Sequence, residues 1–222
     1  MLPQDADVSS EGLLLDLEDY LKSGMHIGTS SGMQSMLPFI YRVRNDGLYV
    51  LDVRATDERI RIAAKFLARI DPEDIVVCSV RTYGIYPAQR FAKAAGARAL
   101  TGRIIPGTFT NPQMKGKGKF FQPKVIIISD PNTDKQALKE AMRMGITVIG
   151  LLDTDNTTNY VDYVIPCNNK GRNSLATVFW LLAREILRER GELTPEDEAR
   201  FTVEEFKAPR GRRKADGTTP EF

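Results

Sequence analysis

Histidine is nearly missing from this chain. His26 is the only one, so a catalytic triad or a histidine-built metal site has no second ring to draw on. Cysteine is almost as scarce. Cys78 and Cys167 lie far apart, each within or beside an apolar run, with no C-x-x-C pair and no histidine nearby. They read as two buried, reduced thiols, consistent with a cytoplasmic protein. No apolar run approaches the roughly 20 residues of a membrane helix, and Met1-Leu-Pro-Gln-Asp5 does not read as a signal peptide, so neither a membrane partner nor export is expected. The phosphate loop G-x-x-x-x-G-K-[ST] is absent, no G-x-G-x-x-G follows the first strand, and Gly116-Lys-Gly118 lacks Rossmann spacing. No cofactor and no small-molecule substrate are expected.

What the chain does have is a concentrated basic middle. The 222 residues carry a net charge of only +2, with 42% hydrophobic and 27% charged side chains, an ordinary composition for a globular chain of one large domain plus tails. Residues 1–40 carry a net −5, 41–124 a net +9, 125–202 a net −3 and 203–222 a net +1. Such asymmetry suits docking of one face on a polyanion. The loop Thr101-Gly-Arg-Ile-Ile-Pro-Gly-Thr-Phe-Thr-Asn111, with Met114-Lys-Gly-Lys-Gly-Lys-Phe-Phe-Gln-Pro-Lys124 after it, contains no acid. Loops this long inside compact domains are functional or disordered. Lysines alternating with glycines and followed by Phe120-Phe121 suit close approach to phosphates with aromatics at hand; the alternative is a solvated, mobile connection.

Short apolar runs alternate with helical patterns. Residues 48–51, 75–80, 125–128 and 146–152 are near-continuous, with weaker runs at 97–100 and 163–165, as for strands buried on both faces of a parallel sheet. A helix of about 11–22 packs through Leu14, Leu17 and Leu21. Another carries Ile60, Ala63, Ala64, Leu67 and Ile70 before Asp71-Pro72. Pro87 opens a short helix closed by Gly96; Thr133 and Gln136 have capping-box spacing before a helix ended by Gly145; Asn173 caps a long helix ending at Gly191. Repeated βα units imply right-handed crossovers and an α/β three-layer sandwich with a mostly parallel, flavodoxin-like or Rossmann-like sheet. We place an extension at 1–9, the α/β domain at 10–193, and at 194–222 an extension that is flexible when free, since Pro209-Arg-Gly-Arg-Arg-Lys214 and its neighbours offer little apolar surface.

Two patterns invite enzymatic readings. Gly28-Thr-Ser30-Ser-Gly32 matches the nucleophile elbow in letters, but that motif needs a strand before it, a helix after it and a later histidine. Ile149-Gly-Leu-Leu-Asp153-Thr-Asp155 places two carboxylates just past a buried strand, as in magnesium-dependent phosphatases of the haloacid-dehalogenase type, and this is the alternative function. That chemistry needs a following lysine and further metal aspartates on later strands. The plainer reading has Asp153, Asp155, Asn156 and Thr158 building a strand-end turn. Basic recognition is the stronger theme. Arg42, Arg44, Arg81, Arg98, Arg103, Lys115, Lys117, Lys119 and Lys124 fall at strand ends and loops that can converge on one edge of the sheet, and they are the candidate RNA-binding residues.

At these residues the chain resembles a known family. Phe39-Ile-Tyr…Gly47-Leu-Tyr-Val-Leu-Asp52, Arg103-Ile-Ile-Pro-Gly-Thr-Phe-Thr-Asn111, Asp153-Thr-Asp155…Val161-Asp-Tyr-Val-Ile-Pro-Cys-Asn-Asn-Lys-Gly171 and Trp180-Leu-Leu-Ala-Arg-Glu185 occur in the order found in small-subunit ribosomal protein two. Bacterial members insert a helical hairpin after the segment matching residues 108–111; here it is absent. The chain is thus similar to the archaeal and eukaryotic cytosolic type, whose eukaryotic relatives, animal ones with a long acidic tail among them, are also called laminin receptor precursor. That acidic tail is replaced here by a short basic one, which argues for an archaeal source. The resemblance implies a non-catalytic protein between head and body of the small ribosomal subunit, contacting small-subunit rRNA and neighbouring ribosomal proteins.

Overall fold

The computed structural model describes residues 12–113, 122–193 and 201–209. A hairpin of β1 (Ile40–Val43) and β2 (Tyr49–Leu51) precedes five parallel strands: β3 (Ile75–Ser79), β4 (Arg98–Thr101), β5 (Val125–Ile128), β6 (Thr147–Leu152) and β7 (Tyr163–Pro166). Their spatial order is β4-β3-β5-β6-β7. Every residue of β3 and β5 is buried, because both faces of the sheet are covered; hence the unbroken apolar runs.

Alternate residues serve opposite faces. Ile75, Val77, Val125, Ile127 and Ile149 meet α2 (Val53–Ala68), α3 (Thr82–Ala95) and α5 (Arg172–Arg190). Val76, Cys78, Ile126, Ile128 and Val148 meet α4 (Lys135–Met144) together with Ile104 and Phe109 from the loop after β4. The result is the three-layer flavodoxin-like sandwich expected. The connection from Asn111 to β5 is too short for a helical hairpin.

The sequence reading shifts at several boundaries. α1 spans Leu17–Ser23, not 11–22, and its buried anchor is Tyr20, whose hydroxyl donates to Asp57 at 2.6 Å; Leu21 is 47% exposed. The run 48–51 belongs to the hairpin rather than the main sheet, tied on by Gly28 N–H to Tyr49 O (2.9 Å) and Met33 N–H to Thr154 O (2.8 Å). α3 begins at Thr82 and contains Pro87, whose missing N–H orphans only a first-turn carbonyl. Asp134, not Thr133, precedes α4. α5 begins after Gly171 rather than at Asn173, since Asn168 Oδ1 accepts from Lys170 and Gly171 N–H (3.0 and 2.9 Å) and turns the chain early.

α5 is buried around most of its circumference. α2 and α3 flank it, and residues 201–209 cover it. Trp180 Nε1 donates to Phe201 O at 2.8 Å, Phe201 and Phe206 meet edge-on at 5.4 Å, and Phe206 is fully buried. These residues lie in the stretch expected to be flexible; over 201–209 the two phenylalanines and Val203 give it an apolar anchor that the basic composition further on conceals. At the far end of α5, Arg190 donates to Ala95 O (2.8 Å), the last residue of α3, and to Ile70 O (3.5 Å), just past the end of α2.

Candidate nucleic-acid interface

The chain turns from β3 to β4 on one side and continues to β5, β6 and β7 on the other. The carboxyl ends of β3 and β5 are therefore the switch point where open α/β sheets hold their ligands. Here that crevice is filled from within. Asp134, 1% exposed, accepts Val80 N–H at 2.8 Å and Asp130 N–H at 3.1 Å, and Ser129 Oγ donates to it at 3.1 Å. Burial raises its pKa to about 6, against the opposing pull of those hydrogen bonds. Asp130 pairs with Arg81 and accepts from Asn132 N–H (2.9 Å) and Asn156 Nδ2 (3.2 Å). Gly84 sits so close that a Cβ there would lie 2.3 Å from Ser79 Oγ. The protein's own carboxylates and their partners line the switch point.

The same polar seam continues past β6. Asp153 Oδ1 accepts Thr154 N–H at 2.7 Å, and Asn156 Oδ1 accepts Asp153 N–H at 2.8 Å, the strand-end turn read from the sequence. Lys170, a partner the sequence reading missed, lies 3.2 Å from Asp153 and 2.7 Å from Asp155. Burial pushes the Asp153 carboxyl up, and Lys170 draws it back. Asn169 Nδ2 reaches both Leu151 O (2.9 Å) and Asn156 Oδ1 (2.8 Å). Lys170 supplies the following lysine that the phosphatase alternative needs, but among the described residues no three acids, histidines or cysteines gather to hold a metal, and that alternative finds no support. Gly28 is a packing glycine, since a Cβ would come 2.5 Å from Thr154 Cγ2, and the element directly after Gly32 is a 3₁₀ turn, Gln34–Phe39, rather than an α-helix. Burial lowers the pKa of His26. Burial also pushes both thiols up, leaving Cys78 and Cys167 inert.

The loop after β4 is clamped. The buried carboxylate of Glu140 on α4 accepts Gly107 N–H at 2.7 Å and Phe109 N–H at 2.9 Å, while Phe109 enters the core beneath. Gly107 takes φ +96°, which few residues with a side chain would tolerate. Loop 101–111 is thus a rigid platform carrying Arg103, which is exposed.

The other predicted basic residues divide. Arg42 lies exposed on β1, 5.9 Å from the Tyr41 ring centroid; Arg44 follows at the hairpin tip, 3.1 Å from Asp46. Arg81 is consumed by Asp130. Arg98 and Lys124 sit at the opposite, amino ends of β4 and β5, beside Glu73 (3.7 Å) and Asp74 (2.7 Å) respectively. Arg98 and Lys124 therefore do not converge with Arg81 and Arg103 on one edge. Lys115, Lys117 and Lys119 lie outside the described residues.

Comparison with known proteins decides the family. Residues 113–188 match the family described as Ribosomal protein S2. A protein of Staphylothermus marinus named Small ribosomal subunit protein uS2 is 55% identical over 194 residues, 87% of either chain. Its namesake in Saccharolobus solfataricus is 54% identical over 87% of this chain and 83% of its own. That of Thermoplasma acidophilum is 49% identical over 89% and 98%. The chain belongs to the ribosomal protein S2 family.

Family membership and the resemblance noted in the sequence agree, and the relatives are archaeal. The motifs that carried that resemblance now have physical roles. In this S2 chain, residues 103–111 form the platform clamped by Glu140, and Asp153, Asp155, Asn168, Asn169 and Lys170 build the polar seam. In this chain those motifs thus serve largely as a scaffold that positions loops.

Proposed function

We propose that this chain is a structural constituent of the small ribosomal subunit, docked at the head–body junction on small-subunit rRNA and neighbouring ribosomal proteins within the cytoplasm. The observation that carries this reading is the sustained identity to small-subunit proteins along nearly the whole chain. The filled crevice supports it: with Asp130 and Asp134 occupying the usual ligand position, the fold acts as a platform rather than a vessel. No helix among the described residues is long and apolar enough to cross a membrane.

Among the candidate RNA-binding residues, the geometry favours Arg42, Arg44 and Arg103. These stand exposed on the hairpin and the platform. Arg44 keeps an exposed partner, Asp46, that a phosphate displaces at little cost. Arg81 acts as a brace, and Arg98 and Lys124 are offset by adjacent acids. Lys115, Lys117 and Lys119 remain candidates by charge.

The test is sedimentation of tagged protein with small subunits on a sucrose gradient, followed by rebinding to subunits that lack it. Co-migration that survives washing supports the reading; a protein that stays at the top of the gradient sinks it. If all three loop lysines meet phosphates, their joint replacement by Ala flattens the salt dependence of rebinding by about 2 to 3 units of log affinity per log salt.

A further inference from the structure

Tyr160 is the one described residue other than glycine with a positive φ, at 64°. Val161 N–H closes onto Thr158 O at 3.1 Å, so Tyr160 takes the third position of a β-turn, where a left-handed backbone favours Gly or Asn. An L-residue with a bulky ring is strained there. The surroundings enforce it. Asp162 N–H bonds Val148 O at 3.0 Å, and Asp162 Oδ2 accepts Val148 N–H at 2.8 Å, fixing the chain just after the turn. Asn156, anchored by Asn169 and Asp130, fixes it before.

The ring gains little from the fold in return. Tyr160 is 61% exposed, more than any other large hydrophobic side chain among the described residues. A side chain that strains its backbone and packs on little is held for something outside the molecule. Its neighbours indicate what. Thr157, Thr158 and Asn159 are hydroxyls and an amide. Asp155 is tied to Lys170 and the exposed Asp162 accepts Val148 N–H, so the turn has acids only at its edges, both engaged. An aromatic face set among neutral hydrogen-bonding side chains suits an unpaired base, which stacks on the ring while amide and hydroxyls read its edges or sugar.

We infer that Tyr160 is a stacking residue for an unpaired nucleobase of the small-subunit RNA, held ready by the strained turn. This rests on the ribosomal reading above. The experiment uses the full chain, small subunits lacking it, and four variants: Tyr160→Gly, Tyr160→Leu, Tyr160→Phe and Tyr160→Trp. Tyr160→Gly relieves the strain, so the free protein melts about 2–4 °C higher. Its rebinding weakens by about tenfold or more, the scale of one lost base stack, with an unchanged salt slope because no charge is removed. Tyr160→Phe and Tyr160→Trp rebind like wild type, and Tyr160→Leu as weakly as Tyr160→Gly.

Three results overturn the inference while leaving the ribosomal reading intact: Tyr160→Gly rebinding like wild type; Tyr160→Leu matching Tyr160→Phe, which marks an apolar pocket on a protein; or a lower melting point for Tyr160→Gly, which shows the ring packs on its own fold. Failure of the wild-type chain to rebind removes both readings together.

Discussion

The carboxyl ends of the strands and the basic outer loops both carry charge, yet they treat it in opposite ways. Asp130, Asp134, Asp153 and Glu140 are buried, and each is met by backbone N–H groups, a cation, or both. Arg42, Arg44 and Arg103 are exposed, and the partner of Arg44, Asp46, is exposed with it. Buried charge costs several kcal/mol unless matched, so each of its partners is a structural requirement. Exposed charge costs almost nothing and stays available for a partner outside. In this fold, buried charge builds the platform and exposed charge is left free to meet a partner.

The sharpest way to break that contrast is Asp130→Ala. It strips Arg81 of its partner and leaves Asn132 N–H and Asn156 Nδ2 unsatisfied. Urea unfolding should register a loss of about 3 kcal/mol, the lower end for a broken buried pair because Arg81 is partly solvated. Glu140→Gln comes next. It keeps one acceptor but turns an N–H₂ toward a backbone donor, so we expect about 1–2 kcal/mol. Amide exchange should quicken at Gly107 and Phe109 before elsewhere; uniform quickening would show that Glu140 does not clamp the loop locally.

A third test uses pH. The folded pKa of Asp134, about 6, lies above its unfolded value, so the folded state binds that proton more tightly. The associated stability is complete below about pH 4 and is lost as pH rises through 6. Asp134→Asn should remove the corresponding downward slope, roughly 2 kcal/mol across that window. An unchanged slope would assign it to other carboxyls. The smallest effect sharpens the contrast from the other side. Arg42→Ala and Arg103→Ala should each change stability by less than about 0.5 kcal/mol. Each should flatten the salt dependence of subunit rebinding by about 0.7 to 0.9. Destabilisation with an unaltered salt slope would move them into the structural class.

Legibility in the sequence tracked distance along the chain. β3, β5 and β6 announce themselves as apolar runs because both faces are covered. The turn at Asp153 was readable because its bonds span a few residues. Lys170 lies 17 residues from Asp153, Glu140 lies 33 from Gly107, and Arg81 lies 49 from Asp130. Such pairs leave no local pattern, so Arg81 read as a surface cation until its partner came into view. Tyr160 was hidden for another reason. A turn that prefers glycine is recognised by its glycine, and here that letter is missing. The start of α1 was misplaced because Leu14 falls in helical register with Leu17 and Leu21 while lying outside the helix.

Arg190 marks a further property. It caps the point where α2, α3 and α5 end together, below the amino ends of the strands. Their first turns consequently all lie at the opposite pole, as Thr56 on α2 confirms by bonding Pro166 O at the end of β7 (2.7 Å). Parallel helices add their dipoles, each worth about half a charge at either end. The positive ends of these helices therefore gather at the carboxyl pole of the sheet, where the backbone itself helps the fold hold Asp130, Asp134 and Asp153 out of water.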